Sequence, residues 1–106
     1  MTMIYAIHDT DQEKLEGIIE EMKSAGAPAI RVVDCGDYYM ALEGSHRLAA
    51  ASALGIEPDL TILDQDDVID ISEFDWFESA NWDDTEYPAG EVAGELYSVN
   101  SVPYMF

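Results

Sequence analysis

Twenty-three carboxylates stand against four bases, Lys14, Lys23, Arg31 and Arg47, leaving a formal charge of −19 on a chain of 106 residues. Any fold must therefore keep its acids in water and gather its core elsewhere, because an unpaired buried carboxylate costs more than one apolar contact returns. Nearly half of the residues are apolar (48%), so a core is available and a disordered polyelectrolyte is not expected. The length suits one domain. Binding nucleic acid through phosphate neutralisation needs a basic face, which this composition excludes. The same imbalance fits a salt-rich host, where ionic strength screens the repulsion, or a surface that meets a basic protein partner.

The apolar residues fall into short periodic runs. "MIYAIH" (3–8) predicts a strand, and "DTDQ" supplies helix N-cap residues after it. Leu15, Ile18, Ile19 and Met22 recur at three- and four-residue steps, which predicts an amphipathic helix over 13–25, stopped by Gly26 and Pro28. "AIRVVD" (29–34) and "YYMALE" (38–43) read as a hairpin turning at "CGD". A helix over 45–54 ends at Gly55, and "DLTIL" (59–63) follows as a strand. The expected class is α+β: a β-α-β-β-α-β core over 1–64, with a small mixed sheet.

After Asp64 the character changes. Twelve acids and no Lys or Arg lie between Asp64 and Glu95. Val68, Ile71, Phe74 and Phe77 at i, i+3 spacing predict a helix or broken helix laid on the core. Trp82, Tyr87 and Pro88 are expected in a loop, and the remainder as a short helix with an extended, docked end. Residues 65–106 thus form an acidic helical and extended segment packed on the same domain. "DQDD" (64–67) and "NWDD" (81–84) concentrate oxygen ligands without the spacing of an EF-hand loop. The single cysteine, Cys35, permits no internal disulfide, and no window approaches a membrane span. With no signal peptide evident, a cytoplasmic location without a membrane partner is expected.

The chemistry concentrates in "EGSHRLAAASALG" (43–55). A helix N-terminus leaves unpartnered N–H groups and a partial positive charge, which together favour an anion. Gly44 would admit a ligand close to the backbone. Ser45 would cap the helix or donate its hydroxyl, His46 would add a donor, and Arg47 would offer a planar fork for phosphate. The alternative is an ordinary helix cap.

"GAPAIRVVDCGD", "YYMALEGSHRLAAASALG" and "DLTIL" together resemble the ParB/sulfiredoxin superfamily over roughly residues 13–63. The matching positions are Gly26, Pro28, Gly44, Arg47, Ala49, Ala50, Leu54 and Gly55. The resemblance implies a nucleotide site at Gly44, Ser45, His46 and Arg47, holding the phosphates of ATP, ADP or CTP with Mg²⁺. Where sulfiredoxins carry a reactive cysteine this chain has Ser45. The acidic residue, second arginine and helix-turn-helix region of ParB partition proteins are missing. The Gly-x-His-Arg form is closer to the small-molecule kinases of the family, so a metal-dependent kinase or nucleotide hydrolase is expected rather than a sulfiredoxin or nuclease. By the same analogy Asp9 and Asp11 are candidate general bases, which otherwise serve as helix caps. His8 is a candidate phosphate-orienting group and Glu43 a candidate metal ligand. A reading from another class keeps the fold without the chemistry: an acidic protein-interaction module or DNA mimic, with a basic partner or a homodimer.

Overall fold

The computed structural model describes residues 2–106. Up to residue 63 the chain runs β1 (Met3–Ala6), α1 (Gln12–Ala25), β2 (Ala29–Asp34), β3 (Tyr39–Ala41), α2 (Ser45–Leu54) and β4 (Asp59–Leu63). It continues as β5 (Val68–Asp70), a single 3₁₀ turn (Ile71–Glu73), β6 (Glu86–Pro88), α3 (Ala89–Asn100) and β7 (Val102–Met105). This is an α+β fold on a mixed five-stranded sheet of order β4-β2-β3-β1-β7, with β5 and β6 paired apart from it. The β2–β3 hairpin is antiparallel, while β1–β3 and β2–β4 are parallel. No described helix is long and apolar enough to cross a membrane.

The two-residue period of the strands sorts side chains between two faces. Ile4, Ala6, Ile30, Val32 and Ala41 meet Leu48 of α2. Val33 and Met40 turn to the opposite face, where Ile71, Phe74, Val92 and Leu96 close a second core. Fully burying a side chain of this size stabilises by about 1.5–3 kcal/mol. The small residues of α2 allow close approach: Ala50 and Ala51 are buried with Met22, and Leu15, Ile18 and Ile19 of α1 pack over them. Acids stay outside this apolar framework, as a −19 chain requires.

Four sequence expectations change. β1 stops at Ala6, so Ile7 and His8 leave the sheet. β3 stops at Ala41, because Leu42 and Glu43 turn away toward α2. The helix or broken helix expected through Val68, Ile71, Phe74 and Phe77 is one 3₁₀ turn between a strand and further turns. A 3₁₀ turn has three residues per turn, so Ile71 and Phe74 do share its buried side. Val68, outside that turn, is 66% exposed. Tyr87 and Pro88, expected in a loop, form β6. The C-terminal end docks by pairing antiparallel with β1 from Met3↔Met105 to Ala6↔Val102.

The acidic runs serve turns. Asp67 accepts from the Asp64 N–H at 2.9 Å, and Asp84 from the Thr85 N–H at 2.7 Å. Among the described residues no group of three or more His, Cys, Asp or Glu side chains is placed to hold a metal.

Candidate functional site

Strand β3 delivers the chain to Gly44, the N-cap of α2, which adopts φ +72°. Only glycine enters that left-handed region at little cost. A Cβ here would also fall 2.6 Å from Ile30 Cδ1 and 3.0 Å from the Arg47 guanidinium. The space a Cβ would take at Gly44 is thus filled by this protein's own side chains, so the turn and its packing require the glycine, which also lines the cleft described below.

Ser45 is the first helical residue, not the cap, and α2 has no side-chain cap. Its buried Oγ accepts from the Ile7 N–H at 3.2 Å, tying the end of β1 to the start of α2. His46 Nε2 accepts from the Asp11 N–H at 3.1 Å, so this nitrogen is an acceptor and the ring's N–H lies on Nδ1. The His8 ring stands edge-on to it at 5.8 Å and donates from Nδ1 to the Asp9 carbonyl at 2.6 Å. Arg47 donates to the Ala29 carbonyl at 3.1 Å. It forms no ion pair with any of the described acids.

The carboxylates of the candidate bases serve the chain's own turns. Asp11 caps α1, accepting from the Glu13 N–H at 3.0 Å. Asp9 accepts from the Thr10 N–H at 2.8 Å. Neither lines the cleft that opens at the α2 N-terminus. Glu43 is engaged as well: its Oε2 accepts from Arg31 Nε at 2.9 Å and from the Arg31 backbone N–H at 3.1 Å, and its Oε1 from the second guanidinium nitrogen at 3.0 Å. These bonds hold the Glu43 carboxyl below the usual carboxylate range against the opposing effect of burial. Arg31 also pairs with Glu73 and lies over the Phe74 ring at 4.4 Å. A metal at Glu43 would have to displace this arginine, so the residues do not offer a protein-held metal site.

The cleft has a volume of about 590 Å³, within the range of small-molecule sites. His8, Gly44, Ser45, His46 and Arg47 line one side, and Glu73, Phe74, Asp75 and Trp76 the other. The Trp76 indole N–H donates to the Leu42 carbonyl at 2.7 Å and fixes that second wall. That wall is carried by the stretch "FDWF" (74–77), whose Phe74 is also buried in the core. Its role as a cleft wall depends on a bond between residues 34 apart and carries no local signal.

The fold and the site define a small α+β domain in which a helix N-terminus without a side-chain cap opens onto a cleft. Comparison with family models, curated proteins and solved structures finds no match.

Proposed function

We propose that the α2 N-terminus binds the phosphates of a nucleotide, ATP, ADP or CTP, as the resemblance to the ParB/sulfiredoxin superfamily implies. One observation carries the reading. In a chain with 23 acids and four bases, Arg47 lines the cleft without a carboxylate partner among the described residues. The first turn of α2 beside it holds no acid. Helix N–H groups and a guanidinium together suit phosphate oxygens. His46 takes a reduced part, since Nε2 already accepts from Asp11.

Glu21, Glu43, Glu73 and Asp75 also line the cleft and repel a bare triphosphate. Mg²⁺ would therefore arrive with the phosphates as their counterion, because this cation commonly keeps its waters and few protein ligands. Affinity should be weak without Mg²⁺ and should rise with salt, which screens the repulsion. For phosphoryl transfer or nucleotide hydrolysis, Asp9 and Asp11 would act from beside the cleft, next to His8 and His46. Asp75, exposed on the cleft wall and without a hydrogen-bond partner among the described residues, is a further candidate base.

The test is a thermal-shift series with ATP, ADP and CTP, each with and without Mg²⁺, on the wild type and Arg47→Gln. Saturating nucleotide at about 100 times Kd should stabilise by about 2.7 kcal/mol. Arg47→Gln should lose the shift while keeping its urea midpoint. If no nucleotide shifts the wild type, the proposal fails and the acidic interaction module remains, supported by the exposed carboxylates between Asp64 and Glu86.

A further inference from the structure

We infer that a second cleft, on the α3 side of Trp76, binds small organic ammonium cations. This cleft, of about 730 Å³, lies between α3 and the segment carrying Trp76, Trp82 and Tyr87. It meets the first cleft only at Ile7, His8 and Trp76. Trp82 stands 5.9 Å from Trp76 at 48° and 5.4 Å from Tyr87 at 61°. Trp76 is stacked on Phe74 at 5.3 Å and 12°, which leaves one of its faces, while the rings inclined to it form walls rather than a stack, and electron-rich ring faces attract cations.

The rim has matching charge. Glu91 and Glu95 lie one turn apart on the exposed side of α3. Like charges at that spacing repel. None of the four bases relieves them: Lys14 and Lys23 belong to α1, Arg31 is held by Glu43 and Glu73, and Arg47 faces the first cleft. Asp83 is bonded to the Tyr87 hydroxyl, which sets that ring at the mouth. The cleft therefore joins an aromatic cage to unneutralised carboxylates with no internal cation.

The lining also selects the type of cation. Ca²⁺ and Mg²⁺ demand a shell of oxygen ligands, and although Asn81, Asp83, Glu91, Glu95 and Asn100 line the cleft, no group of three or more His, Cys, Asp or Glu among the described residues is placed to hold a metal. An alkylammonium head is weakly hydrated, loses little on leaving water, and gains from the faces and the rim charges together. The same walls exclude phosphate, so the two clefts take ligands of opposite sign. The inference does not rest on nucleotide binding at the first cleft.

Trp76 and Trp82 are the chain's only tryptophans; both line this cleft and Trp76 lines the first as well, so intrinsic fluorescence reports on ligand binding and the variants below assign it to this cleft. Tetramethylammonium chloride should give a saturable change, whereas sodium chloride at equal ionic strength should not. The double variant Glu91→Gln/Glu95→Gln should bind tetramethylammonium about tenfold more weakly with an unchanged far-ultraviolet circular dichroism spectrum. Trp82→Leu should abolish saturation. Should Trp82→Leu unfold, the double variant alone decides. Identical curves for the two salts, or a folded double variant binding as tightly as the wild type, would overturn the inference.

Discussion

Helices α1 and α2 begin one hydrogen bond apart, through His46 Nε2 and the Asp11 N–H, and they begin in opposite ways. At α1, Asp11 in an extended conformation accepts from the Glu13 N–H, and Glu13 adds an acid to the first turn. At α2, Gly44 in a left-handed conformation provides no side chain, and the first turn has no acid. The peptide dipoles are alike, so the difference lies in what each end is given to satisfy them. One helix start is closed by its own sequence. The other stays open, with Arg47 beside it, and this is what makes α2 rather than α1 the candidate anion site.

The sharpest way to break this contrast is Gly44→Ala. A left-handed alanine and a Cβ 2.6 Å from Ile30 Cδ1 should together cost about 3 kcal/mol, read as a lowered urea midpoint. Next is Glu43→Gln, which loosens the turn leading into α2 by weakening the hold on Arg31. It should cost about 2 kcal/mol at neutral pH. Because the Glu43 carboxyl is held low in the folded protein, the unfolded chain takes up its proton first on acidification. The stabilisation is complete above the ordinary carboxylate pKa and is lost as pH falls through the lowered folded value. The gap between wild type and variant should therefore close in acid. A gap independent of pH would assign Glu43 a packing role instead.

Smaller effects test the closed end. Asp11→Ala should cost about 1 kcal/mol through loss of the cap. The nucleotide-induced shift at α2 should survive, since Asp11 engages His46 through its backbone N–H. Smallest is Gly17→Ala within α1. Nothing lies within 4 Å of the added methyl, and the change should stabilise by about 0.5–1 kcal/mol. If it instead destabilises, α1 is less regular than its periodicity implies.

Legibility followed the range of the interactions. Residues 13–63 declared their elements through local periods: the 3.6-residue spacing of Leu15, Ile18, Ile19 and Met22, the β-branched run of β2, and Gly26 and Gly55 as helix stops. Along 68–77 the same kind of spacing misled. The step from Ile71 to Phe74 is the period of one 3₁₀ turn, and nothing local separates it from a helix. At the site, the sequence pointed to Gly44 and Arg47 but carried no sign of what fills the space on the glycine's Cβ side. That space is filled by Ile30, fourteen residues away in the chain.

From the order of residues alone follow the segregation of acids from core, the α+β class and an arginine beside a helix start, because charge and periodicity act over a few residues. Folding settled which arginine is free. Arg31 and Arg47 are equally scarce bases in the sequence. The hairpin sets Glu43 against Arg31, and the 3₁₀ turn brings Glu73 to it as well, while Arg47 among the described residues hydrogen-bonds only the carbonyl of Ala29. Pairing between distant residues depends on strand register and helix docking, which no short stretch of chain contains.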